Sequence, residues 1–470
     1  MRWRSIALLV CLFAPAGSAT PAFSPPNILF LFSDDQRADT IRALGNGLIE
    51  TPSLDRLVND GTVFTRAYCM GAMEGAVCTP SRAMLMTGRT LFRVKPDLDR
   101  QPTWPEAFGK AGYATFITGK WHNQAPSLVR TFQEGKNVFL GGMGKDPYAL
   151  TVQDFGEDRT LSAKRPSGKH CVELFADTAI DFLNRQKGDR PFLAYVAFNA
   201  PHDPRIAPKE YRDRYDASRI PLPGNFLPQH PFNNGYMVGR DEELAPWPRT
   251  PEIVREHLAD YYGSITFLDA QIGRILDALR SGGRHENTLI VFASDHGLAI
   301  GSHGLFGKQN LYDHSMHAPL ILAGPGVPKG RRADALCYLL DIYPTLGDLA
   351  GVAGPEGSEG RSLGPVLRGT ATKVRDSLFT AYLRVQRAVR DDRWKLLVYP
   401  QINKTQLFDL ENDPLEMKDL AADPQREAEV RRLTALLQES QRDAGDVQPL
   451  TTDKPQPLEF DFTKVKSGKK

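Results

Sequence analysis

Apolar residues in the first three quarters of the chain come in short continuous runs, each followed by polar residues. Four such runs are NILFLF (27–32), YATFIT (113–118), PFLAYVAF (191–198) and TLIVFA (288–293). A strand covered by helices on both faces shows this continuous pattern, whereas a half-exposed strand alternates apolar and polar residues. We therefore predict that the four runs are buried strands of a largely parallel sheet.

Helical patterns lie between these runs. TPSLDRLVNDG offers Thr51 as N-cap, Pro52 in the first turn and Gly61 as a stop, while Thr103 and Glu106 have capping-box spacing. The longest amphipathic stretch runs from 251 to 279. Strands that alternate with helices predict an α/β fold, in which a large mixed, mostly parallel sheet is sandwiched by helices.

The pattern changes after about residue 361. AVRDDRWKLLVYP and KTQLFDLENDP predict short antiparallel strands, and QREAEVRRLTALLQESQRDA predicts a surface helix. We expect a main α/β domain over 20–360, a smaller C-terminal α+β subdomain over 361–450 and a flexible polar tail over 451–470.

The first 19 residues have the features of a secretory signal peptide. Two arginines precede an apolar run over 6–13, and small residues follow up to Ala19. The run is short for an uncleaved membrane anchor, and the bulky Val10 before Cys11 argues against a lipid-modified cysteine. Cleavage after Ala19 predicts an exported protein, periplasmic or secreted.

Charge and cysteine content narrow the function classes. The chain has 58 basic and 56 acidic residues, a formal net charge of +2, so we expect neither nucleic acid nor a membrane as partner. Outside the signal, Cys69, Cys78, Cys171 and Cys337 remain. In an oxidising compartment they could form two disulfides, or fewer if Cys78 serves chemistry.

Carboxylates follow two of the predicted strands. Because the carboxyl ends of parallel strands meet at one edge of a sheet, Asp34 and Asp35 should lie near Asp295 and His296. Clustered buried carboxylates repel one another unless a cation holds them. A turn or a helix cap would also explain an aspartate pair, but three carboxylates favour a divalent metal, with Ca²⁺ ahead of Mg²⁺.

Basic side chains without acidic neighbours in sequence should reach the same edge, namely Lys120, His122, His202 and Lys308. Singly, each would be an ordinary solvated charge or a packed histidine. Around a metal, they could bind the oxygens of a tetrahedral anion and protonate a departing alcohol. His303, His314 and His317 share the glycine-rich segment of Lys308, and we expect them only to pack within that loop.

The stretch VCTPSRAMLMTGR (77–89) places a thiol at the start of a helix. Pro80 fits the first turn, which would put Cys78 just before a helix N-terminus, where free N–H groups favour negative charge. Arg82 follows one turn later. A thiolate nucleophile is one interpretation, but it gives no reason for an oxygen-liganded metal beside it.

These motifs resemble the type I, formylglycine-dependent sulfatase family of the alkaline-phosphatase-like superfamily. CTPSRAMLMTGR matches that family's C/S-x-P-x-R…TGR motif, and the resemblance extends through PNILFLFSDDQ, GKWH, NAPHDP, SDHG and GKQNLYDHSMHAPLI to LFDLENDPLEMKDL. It covers nearly the whole mature chain. The resemblance implies an alkaline-phosphatase-like fold and hydrolysis of sulfate esters.

The resemblance also implies that a maturation enzyme reads the segment from Cys78 to Arg82 and oxidises Cys78 to formylglycine. In the hydrate of that aldehyde, one hydroxyl attacks sulfur and expels the alcohol. The second hydroxyl then collapses to the aldehyde and ejects sulfate, so that no water has to attack the sulfated enzyme.

The family's functional positions can be carried over one by one. The implied metal ligands are Asp34, Asp35, Asp295, His296 and an oxygen of the modified Cys78. Many relatives have Asn where His296 stands. Arg82 and Lys120 resemble residues that orient and activate the hydrate, His122 is similar to the partner of the second hydroxyl, and His202 and Lys308 resemble the pair that binds sulfate and assists the leaving oxygen.

Other functions remain open at this point. Hydrolases of phosphomonoesters, phosphodiesters or phosphonates use similar architectures, and a catalytically silent binder of sulfated glycans could retain the fold. Among sulfate esters we expect sulfated carbohydrates, with choline sulfate and small aryl sulfates as alternatives. The loop over 222–252 is rich in Pro, Gly and aromatic residues and is expected to meet the alcohol part, with His230, Arg240 and Trp247 as candidates.

Overall fold

The computed structural model describes residues 24–462. The predicted signal peptide, 1–19, lies outside the described residues, as do 463–470 of the predicted tail. Within 24–462, no helix combines the length and the apolar character that crossing a membrane requires.

A ten-stranded sheet forms the centre of the molecule. Its strands lie in the order β13-β2-β12-β10-β1-β9-β5-β6-β7-β8. The strands are β1 (Asn27–Ser33), β2 (Gly61–Phe64), β5 (Ala114–Lys120), β6 (Glu134–Phe139), β7 (Thr151–Phe155), β8 (Arg165–Pro166), β9 (Phe192–Ala197), β10 (Thr288–Ser294), β12 (Leu320–Ala323) and β13 (Arg331–Ala333). The neighbours β10, β1, β9, β5 and β6 run parallel, while β12 and β7 pair antiparallel. All four predicted strands are present in this parallel centre.

Helices cover both faces of the sheet, which explains the continuous apolar runs. Leu29 and Leu31 of β1 belong to the apolar cluster that contains the buried sides of the helices over 52–60, 171–185 and 251–281. Phe30 and Phe32 belong to the cluster on the opposite face, with the helices over 78–87, 104–110 and 342–350. Successive side chains of a strand point to opposite faces, so the whole run is buried. The predicted α/β sandwich is confirmed.

The helices predicted near residues 52–60, 78–87, 104–110, 251–281 and 427–444 are present, together with others that the sequence did not single out. They are α1 (Pro52–Asp60), α2 (Cys78–Thr87), α3 (Trp104–Lys110), α4 (Ala125–Thr131), α5 (Cys171–Arg185), α6 (Lys209–Arg212), α7 (Pro251–Ser281), α8 (Asp313–Met316), α9 (Ile342–Ala350), α10 (Gly364–Leu367) and α11 (Glu427–Ala444). Thr103 and Glu106 form the predicted capping box. Thr51 precedes α1 without a capping hydrogen bond, because its hydroxyl donates to Asp55 instead.

A second, five-stranded sheet lies in the C-terminal region. Its order is β18-β17-β16-β15-β4, from β15 (Leu378–Tyr382), β16 (Gln386–Arg390), β17 (Trp394–Tyr399), β18 (Lys404–Asp409) and β4 (Gly71–Ala72). A smaller sheet joins β3 (Ala67–Tyr68), β11 (His317–Ala318) and β14 (Cys337–Tyr338). The predicted antiparallel strands and surface helix are thus present. Since β4 comes from residues 71–72, the C-terminal sheet also uses the N-terminal half of the chain.

The end of the described chain lies against the protein body. The backbone N–H of Asn233 donates to the Leu458 carbonyl at 2.7 Å, and the ring centroids of Phe462 and Trp247 are 4.7 Å apart. The described part of the predicted tail, 451–462, therefore contacts the protein body, and the flexibility of the tail stays a prediction.

Candidate active site

Two adjacent parallel strands bring the candidate carboxylates together. Ser33 of β1 pairs with Ser294 of β10, so the residues that follow them meet at one edge of the sheet. The backbone N–H of Asp35 donates to Asp295 Oδ1 at 3.1 Å, although 260 residues separate the two. Asp34, Asp35, Asp295 and His296 are all essentially buried. The predicted convergence of these residues is therefore present in the structure.

The Cys78 thiol lies at the centre of this group. Its Sγ is 3.2 Å from His296 Nε2, 3.6 Å from Asp34 Oδ1 and 4.0 Å from Asp35 Oδ1. Burial raises the pKa of the thiol well above its usual value, with Lys308 and Lys120 acting in the opposite direction. Cys78 is the first residue of α2, not the residue before it, and Val77 is the N-cap. The sequence predicts Cys78 one position outside the helix, and the structure corrects this. The turn closes earlier, because the Ser81 N–H already donates to the Val77 carbonyl.

Three cations pair with the three carboxylates. Arg82 Nη2 lies 3.0 Å from Asp295 Oδ2 and 3.6 Å from Asp34 Oδ2. Lys120 Nζ donates to Asp34, and Lys308 Nζ contacts both oxygens of Asp35, at 2.7 and 2.9 Å.

Opposing effects act on the acidity of the adjacent carboxyls. Burial by itself raises the pKa of Asp34, but Lys120, His202 and Arg82 outweigh it and lower that pKa well below its usual value. Burial likewise raises the pKa of Asp35, while His202 and Lys308 lower it to a net decrease. Both carboxyls are therefore ionised at neutral pH and available as ligands.

Two candidate histidines lie beside this charged cluster. Burial lowers the pKa of His202 to about 4, against a smaller opposing effect of Asp35, and burial with the nearby Lys120 lowers that of His122 to about 3. His202 Nε2 is 3.7 Å from Asp35 Oδ2, and its Nδ1 donates to the Asp203 carbonyl at 2.8 Å. His122 Nδ1 is buried and has no hydrogen-bond partner among residues 24–462.

The donor set fits a divalent cation. One ligand atom each of Asp34, Asp35, Cys78 and His296 lies within 4.8 Å of the others. Asp295 adds a carboxylate whose Oδ1 is 3.7 Å from His296 Nε2. Carboxylate oxygens are the ligands that hard divalent ions take. Together with the imidazole of His296 and the Cys78 side chain, they form a cluster that can hold a metal ion.

The sequence did not predict several residues that support the site. The Ser81 hydroxyl donates to the Asp295 carbonyl at 2.7 Å, and the Tyr261 hydroxyl donates to the Asp35 carbonyl at 2.6 Å. Phe32 lies under the Arg82 guanidinium, 4.9 Å from it. Asp241 lies 3.9 Å from Lys308 Nζ. Ser81 lies inside the quoted CTPSR motif, but no spacing rule in the sequence marks the others.

The loop over 222–252 contributes only one of its three candidates to the site. Arg240 pairs with Asp203, next to His202. His230 is buried and bonds the His303 carbonyl at 2.8 Å, so it packs inside the loop region. Trp247 stacks on Arg249, 3.4 Å from its guanidinium, and likewise does not reach the site.

His303 and the cysteines other than Cys78 lie outside the site. His303 stacks on Tyr312 at 4.0 Å, as expected for loop packing. Among the described residues, Cys69, Cys78, Cys171 and Cys337 are all buried and none is in a disulfide.

Comparisons with known proteins agree with this site. The sequence model of the sulfatase family matches residues 26–352, and that of the N-sulphoglucosamine sulphohydrolase C-terminal region matches 301–443. An arylsulfatase of Clostridium perfringens is 30% identical over 84% of this chain and 90% of its own length. An N-acetylglucosamine-6-O-sulfatase of Bacteroides thetaiotaomicron is 26% identical over 90% of this chain and 88% of its own.

A solved structure shows the same fold. BT4656 in complex with its substrate D-glucosamine-2-N,6-O-disulfate has a TM-score of 0.76 at 23% identity, over 90% of this chain and 99% of that one. The alkaline-phosphatase-like fold is thereby confirmed. With the family match over most of the chain and the charged cluster around Cys78, this protein belongs to the sulfatase family and is a sulfuric ester hydrolase.

Proposed function

We propose that this sulfatase hydrolyses sulfate esters of carbohydrates, with Cys78 converted to formylglycine beside a divalent metal, Ca²⁺ before Mg²⁺. One observation carries the proposal. The Cys78 Sγ lies within 4.0 Å of two carboxylates, an imidazole and an ammonium group. A thiol that only packs in the interior does not need charged groups around it. A residue that contacts both a metal and a sulfate group needs carboxylates for the metal and cationic donors for the sulfate.

The proposed metal ligands are Asp34, Asp35, Asp295, His296 and the modified Cys78. When bound, the metal supplies positive charge for the sulfate oxygens, and the formylglycine hydrate supplies an oxygen nucleophile for sulfur. The carboxylates keep the metal beside residue 78, and Arg82 holds Asp295 in place through the contact at 3.0 Å.

The remaining residues act on the modified side chain or on the ester. Arg82 and Lys120 would orient the modified side chain, and His122 would accept a proton from it. Lys308 and His202 would bind sulfate and assist the leaving oxygen. Lys308 Nζ is 3.3 Å from the Cys78 Sγ, so a donor already faces the position where sulfur would be attacked. Buried donors aimed at developing charge stabilise a transition state without reorganising.

Carbohydrate is the proposed alcohol part for two reasons. The N-acetylglucosamine-6-O-sulfatase relative is similar over most of both chains. Arg240, whose side chain is 44% exposed, pairs with Asp203 beside His202, and its guanidinium can donate to sugar hydroxyls. We further propose export to the periplasm or outside the cell, and a maturation enzyme that reads the segment from Cys78 to Arg82.

The test uses the full chain co-expressed with a formylglycine-generating enzyme. Mass analysis of the peptide that contains Cys78 should show the aldehyde in place of the thiol. The purified protein should hydrolyse 4-nitrophenyl sulfate far better than 4-nitrophenyl phosphate, and N-acetylglucosamine-6-sulfate among sugar sulfates. An unmodified thiol in active enzyme would overturn the formylglycine assignment, and a strong preference for phosphate would overturn sulfate as the natural ester.

A further inference from the structure

A buried ion pair lies within the loop over 222–252, beside the segment that carries Lys308. Arg249 Nη2 is 2.5 Å from Glu242 Oε2, and the two side chains are 0% and 4% exposed. The Arg249 guanidinium also packs against the rings of Trp247 and Phe306, 3.4 and 4.9 Å from their centroids. The charged pair is therefore enclosed by the protein, and neither group faces solvent.

The Glu242 carboxylate binds the backbone immediately before Lys308. The N–H of Phe306 donates to both carboxylate oxygens, at 3.1 and 3.0 Å, and the N–H of Gly307 donates to Oε1 at 2.8 Å. Both of these residues are buried, and a buried N–H that loses its acceptor costs free energy. Glu242 thus holds the chain at two successive peptide groups.

A second contact holds the chain on the other side of Lys308. Gln309 accepts the Lys308 N–H at 3.0 Å and donates through Nε2 to Asp241 Oδ2 at 2.8 Å. The approach of the two segments is close, since a Cβ at Gly307 would lie 2.9 Å from the Asp241 Cβ and 3.2 Å from Glu242 Oε1. Two adjacent acidic residues therefore fix the backbone before and after Lys308.

The position of the Lys308 ammonium group depends on this backbone. Its Nζ contacts the Cys78 Sγ and both oxygens of Asp35. Lysine carries its charge on a long flexible stem, so these contacts require that the backbone of residue 308 is itself held in place. A small displacement of a reacting or positioning group can lower a rate strongly.

We propose that Glu242 is a positioning residue, whose carboxylate holds the backbone at 306 and 307 and thereby places the Lys308 ammonium group against the sulfate ester. This inference rests on the proposed role of Lys308 in binding sulfate and assisting the leaving oxygen. Glu242 contacts the reaction only through Lys308, and Arg249 keeps its carboxylate charged and oriented.

The test is a double-mutant cycle of Glu242→Gln and Lys308→Ala, with kcat/KM for 4-nitrophenyl sulfate measured in fully converted protein. Glu242→Gln keeps the size of the side chain but removes its charge and one acceptor oxygen. It should lower kcat/KM by about tenfold when Lys308 is present. In the Lys308→Ala background, it should lower kcat/KM by less than about twofold, because no ammonium group is left to be placed.

Asp269→Asn is the matched control. The buried Asp269 carboxylate accepts the backbone N–H groups of Ser53 and Leu54 at the start of α1, at 2.9 and 2.7 Å. Its replacement removes the same kind of contact from another part of the protein. It should lower the Tm but leave kcat/KM within about twofold of the wild type.

Glu242→Asp is measured in the same cycle, because it keeps a charge opposite Arg249 while withdrawing the carboxylate from the two N–H groups. It decides the question if the loss of charge prevents Glu242→Gln from folding. Wild-type kcat/KM in the Glu242 variant, or an equal loss with and without Lys308, would overturn the positioning role. Unchanged activity of Lys308→Ala would instead overturn the proposed role of Lys308, and this inference with it.

Discussion

Lys308 Nζ lies 3.3 Å from Cys78 Sγ, although 230 residues separate the two in the chain. The same ammonium group contacts both oxygens of Asp35. Lys308 thus links the residue proposed to carry the nucleophile with a proposed metal ligand.

Lys308→Ala should lower kcat/KM for 4-nitrophenyl sulfate by about 10²- to 10⁴-fold, because a buried donor to the sulfate and leaving oxygens is lost. Lys308→Arg should recover only part of the activity, since a planar guanidinium cannot take the position of a compact ammonium group. Lys209→Ala removes a lysine that is 85% exposed and should retain full activity.

Replacement of the proposed nucleophile position should abolish turnover while another buried cysteine tolerates the same change. Cys78→Ala should lower kcat by at least about 10³-fold. Cys337 lies in β14, where its Sγ is 3.8 Å from the Arg66 carbonyl oxygen, so Cys337→Ala should keep kcat near that of the wild type at 25 °C. Comparable activity of Cys78→Ala and the wild type in stopped assays would exclude residue 78 as the source of the nucleophile.

Removal of divalent ions should lower both activity and stability. A ligand that binds only the folded state at about 100 times its Kd adds about 2.7 kcal/mol of stability, so Ca²⁺ should raise the Tm of chelator-treated protein. Asp34→Asn should weaken this shift because one of the clustered carboxylates is lost. Differential scanning fluorimetry with Ca²⁺ and Mg²⁺ in parallel identifies the preferred ion, and an equal shift in wild type and Asp34→Asn would contradict the ligand assignment.

Gly142 leaves room for His122. A Cβ at position 142 would lie 2.4 Å from His122 Nε2, so Gly142→Ala should displace the imidazole and lower kcat by about tenfold or more. The Tm should change little, since the ring can move towards solvent. Gly156→Ala is the matched control, because a Cβ there meets nothing within 4 Å.

A buried ion pair joins the C-terminal sheet to the segment that follows α11. Arg387 Nε lies 2.6 Å from Asp446 Oδ2, with side chains 0% and 3% exposed. Asp446→Asn leaves the guanidinium without its charged partner and should cost about 3–5 kcal/mol of unfolding free energy. Asp376→Asn, at a side chain that is 94% exposed, should change stability by less than about 0.5 kcal/mol.

The same pair predicts a pH dependence. Burial raises the pKa of Asp446, but hydrogen bonds from Arg387 and Gln441 outweigh it and lower that pKa overall. A carboxyl with a lowered folded-state pKa stabilises the protein above its unfolded pKa of about 3.9 and loses that contribution as the pH falls through the folded value. Urea unfolding between pH 7 and 3 should therefore show a smaller loss of stability in Asp446→Asn than in the wild type.

Local sequence determined the elements and much of the candidate site. Continuous apolar runs predicted the strands because both faces of the sheet are covered. The sequence also predicted that Asp34 and Asp295 lie close together, because the carboxyl ends of parallel strands meet at one edge of a sheet. Cys78 and Arg82 were predicted as site residues from the CTPSR motif, which places them about one helical turn apart.

Tertiary structure alone decided the contacts between distant irregular segments. Arg240 reaches Asp203 while His230, in the same loop, turns into the interior. No periodicity distinguishes the two, because the path of a loop depends on packing against the rest of the protein. The contribution of Gly71 and Ala72 to the C-terminal sheet has the same origin, since two residues are too few for a pattern and their pairing depends on a strand more than 300 positions away.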